Sequence, residues 1–220
     1  MAFTLINARP SPFGRKVAIV MREKGIAYDT RFDVPWGDET CTPQYSPLEQ
    51  LPILITDQAE YIYDSVYILD WLEARFPDPA LLPVEPDARL NAQKRRMLGE
   101  RLMEVVQALV FEMLRPEPSA PWVDRQTRKV RGALGELERL YGDHAPRGVT
   151  RPDLGDIAVA TTLLGIEFAL TSGLSPDIAV LRWREGHPAL ASAVSALEAR
   201  PSFAATRPQM MEVDLQTTVA

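Results

Sequence analysis

Ser11 stands immediately before Pro12, and Phe13, Val17, Val20 and Met21 then fall at i, i+4, i+7 and i+8. That spacing predicts an amphipathic helix with Ser11 as its N-cap, Pro12 in its first turn and Gly25 just past its end. A hydroxyl at a helix N-terminus can donate a hydrogen bond to an anion while the helix dipole adds favourable partial charge. The same serine can equally be an ordinary cap, and the residues alone leave both roles open. Asp64-Ser65 opens a second helix. There the backbone N–H groups and the Ser65 hydroxyl suit an α-carboxylate, and Asp64 suits an α-ammonium or a plain cap. Asp153-x-x-Asp156 reads as a capping box, structural and without chemistry. Leu51-Pro52 precedes an apolar run, and since only about 5–6% of X–Pro bonds in folded proteins are cis, the residues alone predict a trans bond at an edge strand.

The elements that must hold these residues follow from periodicity. Phe3–Ile6 is a short apolar run, and Tyr28, Thr30, Phe32 and Val34 alternate as a strand does. Ile53–Thr56 and Tyr61–Tyr63, joined through Asp57-Gln58, predict a hairpin. A helix with Ser65, Leu69, Leu72 and Phe76 on one face follows it. The order β-α-β, then β-β-α, is that of a thioredoxin-like fold. From Phe76 to Pro86 the chain carries four prolines in eleven residues, which predicts an extended linker. Beyond it the text is helical. Leu98, Leu102, Val105, Val106, Leu109 and Met113 make one stripe; Val130, Leu134, Leu137 and Tyr141 make another. Asp156–Leu174 is apolar nearly all round and predicts the central helix of a bundle. Shorter helices near Leu190–Leu197 and Ser202–Thr206 should complete it. The expected class is α/β plus all-α, with a thioredoxin-like domain over 1–77, a linker over 78–86 and a helical domain over 87–220.

Composition narrows the function. The 220 residues are 46% hydrophobic and 25% charged, the balance of a globular protein. A net charge of −6 argues against a nucleic-acid partner, which would need a basic face. The interval between Asp156 and Glu167 is too short to span a bilayer, and the first residues lack a secretory signal pattern, so a cytoplasmic, non-membrane protein is expected. One cysteine, Cys41, excludes an internal disulfide and a thiolate cluster, and two histidines, His144 and His187, read as surface residues, so no metal is expected. Cys41 reads as incidental to its loop.

Four sequence pieces, in this order and spacing, resemble the glutathione transferase superfamily, in particular bacterial serine-type (tau-, zeta- or theta-like) members. They are Ser11-Pro12-Phe13 with Lys24-Gly25-Ile26; Ser46 through Leu54, including Gln50-Leu51-Pro52; Asp64-Ser65; and Asp153-Leu154-Gly155-Asp156-Ile157. Arg200-Pro201-Ser202-Phe203 is also similar to bacterial members. The resemblance runs over about residues 3 to 207. It implies that Ser11 contacts the glutathione sulfur, and that Ser11, Phe13, Gln50, Leu51, Pro52, Asp64 and Ser65 bind the tripeptide. It also reverses the expectation at Leu51-Pro52, implying a cis bond whose free Leu51 edge pairs with a peptide-like ligand. Asp64 and Ser65 would take the γ-glutamyl end. Gln50 stands where many members carry a basic residue, and Asp64 where glutamate is commoner.

A thiol with a pKa of about 8.5 is only about 3% thiolate at pH 7. Lowering it to about 6.5 requires about 2.7 kcal/mol. A hydrogen bond to a charged group (about 1.5–3 kcal/mol) plus a helix end (about 0.3–1 kcal/mol) can supply that. The resemblance therefore implies a transferase joining glutathione, its co-substrate, to a small hydrophobic electrophile in a homodimer. Phe13, Trp36 and Phe111, with Trp122 a weaker candidate, would wall the substrate pocket. Two rivals remain: another glutathione-dependent enzyme (isomerase, dehalogenase or ether-cleaving), and a non-catalytic binding protein on the same scaffold. Ser11-Pro12-Phe13 differs from the Ser-Ser-Cys run common in zeta-type isomerases.

Overall fold

Strand β1 (Phe3–Asn7) carries Leu5 and Ile6, both fully buried, and the other strands assemble around it. The structure, a computed structural model, describes residues 3–143 and 151–211. β2 (Tyr28–Phe32) pairs in parallel with β1, β3 (Ile53–Ile55) pairs antiparallel on its other side, and β4 (Tyr61–Tyr63) closes the order β2-β1-β3-β4. Parallel neighbours need a crossover, and α1 (Pro12–Glu23) supplies it. α2 (Ser65–Arg75) follows β4. Val17, Ile19, Val20 and Met21 of α1 and Ile68, Leu69 and Leu72 of α2 are buried. This is the thioredoxin-like arrangement that the periodicity predicts.

Two details differ from the sequence reading. β2 stops at Phe32 rather than reaching Val34, because the Asp33 carboxylate accepts the Val34 N–H itself at 2.7 Å. Tyr28 is half-buried and the rest of β2 exposed, so its alternation marks an edge strand rather than a buried face. Buried Lys24, just past α1, donates to the carbonyls of Phe76 (2.7 Å) and Pro79 (2.9 Å) and pairs with Glu73 at 2.9 Å, fixing the start of the proline-rich segment.

The chain groups into two compact units: residues up to 81 together with the segment from Pro201, and residues 82–200. The sequence reading placed Ser202–Thr206 in the helical bundle; the structure puts α7 (Pro201–Ala204) on α1 of the first unit instead. The reason is local. Arg15 Nη2 donates to the Phe203 carbonyl at 3.3 Å with its guanidinium over the Phe203 ring, and the Ser202 hydroxyl bonds to Glu23.

The second unit is helical: α3 (Pro86–Met113), α4 (Ala120–Gly142), α5 (Leu154–Thr171) and α6 (Pro188–Glu198). Leu154–Ile166 is buried throughout, making α5 the core helix. α5 is long and apolar enough to cross a membrane by length and composition, but two-thirds of it (67%) is buried among its neighbours. Gly155 sits against α3 so closely that a Cβ there would lie 2.4 Å from the Ala92 carbonyl. Trp183, in a short 3-10 turn the periodicity does not reveal, is buried and donates its indole N–H to the Leu163 carbonyl at 3.2 Å. His187 is not a free surface residue: Nδ1 lies 2.7 Å from the Trp183 carbonyl at the start of α6. His144 falls outside the described residues.

Candidate active site

Register decides which residues meet. Ile6 is opposite Ile53, Ile53 opposite Tyr63, and Asn7 opposite Phe32. The ends of β1, β2 and β4 and the start of β3 therefore lie at one end of the sheet. From that end emerge the turn to Ser11 and Phe13, the loop holding Trp36, the Gln50-Leu51-Pro52 approach to β3, and Asp64-Ser65. Ser11, Phe13, Trp36, Gln50, Leu51, Pro52, Asp64 and Ser65 are thus all carried by segments that leave one end of the sheet. Phe111, half-buried near the end of α3, and Trp122, exposed in the first turn of α4, belong to the second unit.

Ser11 is the N-cap of α1, in extended backbone conformation, with Oγ accepting the Gly14 N–H at 3.3 Å. That bond uses a lone pair, and among the described residues nothing accepts the hydroxyl hydrogen. Capping and donation to an anion are therefore compatible. The first turn of α1 contains no acidic residue to compete with such an anion. Gly14 lets the helix end approach β1: a Cβ there would lie 1.6 Å from Asn7 Oδ1. Sequence reasoning missed Asn7, for which no local pattern exists.

Asp64 caps α2 with Oδ1, which accepts the N–H groups of Val66 (2.8 Å) and Tyr67 (3.0 Å). Oδ2 takes part in no bond among the described residues, and Asp64 is exposed, so one oxygen holds the helix and the other is not spent on it. Asp64 has φ 70°, a backbone conformation that disfavours a non-glycine residue by of order 1–3 kcal/mol and is concentrated at functional sites. Ser65, the first helical residue, is buried.

The Leu51–Pro52 bond is cis, in line with the resemblance rather than with the base frequency. Pro52 is buried, Leu51 packs against the cluster of Ile6, Cys41 and Ile53, and Gln50 is exposed. Cys41 is not incidental. Its thiol donates to Asp33 Oδ2 at 2.8 Å, and its N–H donates to the same oxygen at 2.9 Å. Burial pushes the Cys41 thiol pKa up, and the hydrogen bond and charge of Asp33 push it further, so it is a structural thiol rather than a nucleophile. Burial also raises Asp33, but the hydrogen bonds from Cys41, Val34 and Thr40 outweigh it and hold the carboxyl below its ordinary value. This clasp shapes the loop bearing Trp36, itself exposed. An aspartate followed by a turn was the available signal.

Asp153 and Asp156 form the expected reciprocal box, with the Asp156 N–H to Asp153 Oδ1 at 2.9 Å and the Asp153 N–H to Asp156 Oδ2 at 3.2 Å. Arg95 pairs with both carboxylates, and the Tyr141 hydroxyl donates to Asp156 Oδ1 at 3.0 Å. Burial, then the charge of Asp153, pushes the Asp156 pKa up to about 6, against the opposing pull of Arg95.

Residues 5–80 match the family model described as the glutathione S-transferase N-terminal domain, and residues 120–194 the one described as the C-terminal domain. The fold is similar to a glutathione S-transferase of Methylobacterium radiotolerans, solved in complex with glutathione sulfonate. The TM-score is 0.87 at 39% identity, covering 97% of this chain and 98% of that one. Among curated proteins, an uncharacterized GST-like protein of Escherichia coli, YibF, is 29% identical over 93% of this chain and 98% of its own length. A maleylacetoacetate isomerase of Pseudomonas aeruginosa is 29% identical over 79% of this chain and 90% of its own.

Proposed function

The chain belongs to the glutathione S-transferase superfamily, and from that premise we propose that it is a glutathione transferase whose Ser11 hydroxyl holds the glutathione thiolate. The observation that carries the reading is the Ser11 hydroxyl: it caps α1 through a lone pair while its hydrogen remains available at the positive end of the helix. The tripeptide would lie along the sheet end, its backbone against the Leu51 edge beside cis Pro52. Its γ-glutamyl carboxylate would meet the start of α2 and the Ser65 hydroxyl, and its ammonium Oδ2 of Asp64. The complex of the Methylobacterium protein with glutathione sulfonate supports glutathione as the ligand. Stabilising the thiolate needs no general base. The sulfur then attacks an electrophilic carbon, displacing a leaving group or adding across an activated double bond. Phe13 and Trp36 are proposed as apolar walls beside the sulfur.

The protein is further proposed to be a cytoplasmic homodimer, so that light scattering should return about 49 kDa, twice the chain mass. The likeness to a maleylacetoacetate isomerase favours one second reading, glutathione-dependent isomerisation, in which the sulfur adds to a double bond and leaves again. A panel of electrophiles and activated alkenes, run beside calorimetry with glutathione, separates these. A conjugate accumulating supports transfer. Substrate rearranged with glutathione recovered unchanged supports isomerisation. Glutathione binding without turnover of either kind defeats both.

A further inference from the structure

The turn that presents Ser11 is held from outside its own sequence. The Ser11 N–H donates to the Ala8 carbonyl at 3.1 Å, with Arg9 and Pro10 at the two corners. A proline at the second corner steers the residue before it away from the helical region that the commonest turn needs there, so the residues of Ala8–Ser11 do not favour this turn by themselves. Support comes from the far end of the chain. Three contacts tie the segment from Pro201 to the first unit, in the order of a strap laid back along α1. Ser202 bonds to Glu23, the last residue of the helix; the Phe203 carbonyl accepts from Arg15; and Gln209 meets Arg9, just before the helix starts. A cavity of about 130 Å3 lies between the strap, α1 and β2, so the Gln209 end is attached separately from the buried Phe203 end.

Gln209 grips Arg9 at two points. Its backbone N–H donates to the Arg9 carbonyl at 3.3 Å, and its Oε1 accepts from Arg9 Nη1 at 2.5 Å. The guanidinium lies 4.2 Å from the Phe32 ring centroid, which holds its other side. The Arg9 carbonyl belongs to the middle peptide of the turn, the unit whose rotation distinguishes one turn type from another. Pinning that oxygen sets the direction in which the chain enters Ser11. We infer that, given the thiolate role proposed for Ser11, Gln209 is a positioning residue that acts through Arg9 on the direction of the Ser11 hydroxyl. The hydroxyl needs such help, because its own bond to the Gly14 N–H is long, at 3.3 Å, and a hydrogen bond weakens steeply as its angle departs from linear. Arg9 and Gln209 are both exposed, so the clasp acts on local geometry with little bearing on overall stability.

Gln209→Ala removes the side-chain half of the clasp and Gln209→Pro removes both halves, and neither changes a charge. Amide hydrogen exchange at Ser11 and the pKa of the bound glutathione thiol, read from thiolate absorbance on the full chain, test the role. The Ser11 amide should exchange several-fold faster in Gln209→Ala and faster again in Gln209→Pro, with the thermal midpoint kept. Gln209→Ala carries the test if the proline variant folds poorly. A hydrogen bond to a charged group is worth roughly one to two pKa units, and a displaced donor forfeits part of it, so the thiol pKa should rise by about 0.5 in Gln209→Ala and about 1 in Gln209→Pro. In a Ser11→Ala background the same substitutions should add nothing to the thiol pKa. Parent-like exchange at Ser11 in both variants overturns the assignment of Gln209 and leaves the glutathione reading untouched. So does faster exchange with a parent-like thiol pKa, where Ser11→Ala itself raises that pKa. A rise that persists without Ser11, or a thiol pKa that falls because the released Arg9 guanidinium reaches the sulfur, overturns it as well. A parent-like thiol pKa in Ser11→Ala removes the thiolate role of Ser11 and, with it, that of Gln209.

Discussion

α1 and α5 both begin at a side-chain cap, and they treat the same backbone problem in opposite ways. At α5 two carboxylates close the helix end on each other, with Arg95 and Tyr141 completing a buried cluster. The Asp153 and Asp156 N–H groups and the Tyr141 hydroxyl each have a carboxylate acceptor inside the protein. At α1 a single neutral hydroxyl takes one N–H at 3.3 Å, the residue is half-buried, and no acid occupies the first turn. The partial positive charge of that end is left for something else to neutralise. Under the proposed function the α1 start serves as a site because its cap is neutral and incomplete, while the anionic, closed cap of α5 is a strut. α2 lies between the two, with one oxygen of Asp64 spent on the helix and the other in no bond among the described residues.

The comparison breaks most visibly at Ser11. Replacing it with alanine removes the proposed donor to the thiolate, so kcat for conjugation should fall about a hundredfold, near the upper worth of a hydrogen bond to a charged group. Glutathione affinity should stay within several-fold, because the tripeptide is held elsewhere. Ser11→Asp sharpens the point. It gives α1 the kind of cap that α5 has, so thermal stability should be kept or improved while activity is lost to repulsion between carboxylate and thiolate. Turnover, and the pKa of the bound thiol read from thiolate absorbance, decide this. Parent-like values for both quantities in Ser11→Ala would mean that the hydroxyl is a cap and nothing more.

Asp64→Ala tests the intermediate case. Loss of Oδ2 should weaken glutathione binding by roughly 10–100-fold, the range for a charge-assisted hydrogen bond. Calorimetry giving equal affinities for parent and variant would remove Asp64 from the site.

What the sequence disclosed and what it withheld divide along the same physical line. Caps, stripes and turns are local, and so α1 with Ser11 and Gly25, the β3–β4 hairpin, and the Asp153–Asp156 box were all legible. The resemblance supplied what local pattern could not, the cis bond before Pro52. Long-range packing left no trace in the spacing of residues. Nothing near Ser202 announces that α7 belongs on α1, because its partners Arg15 and Glu23 lie about 180 residues away. The approach of Gly14 to Asn7 depends on the crossover geometry of β1 and α1, and the backbone of Asp64 on the closure of the hairpin before it. Cys41 read as incidental because its partner, Asp33, is brought to it only by the fold of the intervening loop.

At α5 the expected effects are on stability. Asp156→Ala should lower it by about 1–2 kcal/mol, the usual cost of a lost capping side chain. Chemical denaturation near pH 7.5 measures this, and glutathione affinity of the folded fraction should match the parent. A variant that unfolds like the parent but loses glutathione would make Asp156 part of the ligand site and erase the distinction between the two helix ends.

The smallest effect is the pH response of that cluster. The Asp156 carboxyl is raised from 3.8 to about 6 in the folded protein, so the folded state holds its proton more tightly than the unfolded chain does. Its contribution is therefore fully present below the unfolded value and is lost as pH rises through about 6. Between pH 5 and pH 7.5 the parent should lose about 1 kcal/mol from this group alone. Asp156→Asn cannot titrate and lacks this contribution. The stability advantage of the parent over Asp156→Asn should accordingly be larger at pH 5 than at pH 7.5, and measuring both proteins at both values cancels every other titrating group they share. A difference that is flat with pH would mean that Arg95 and Tyr141 keep the carboxylate ionised despite its burial. An advantage that instead shrinks as pH falls from 5 to 3 would mean that they hold it below its ordinary value. The α5 end would then be a stronger anion trap than α1, closed only because its anion is built in.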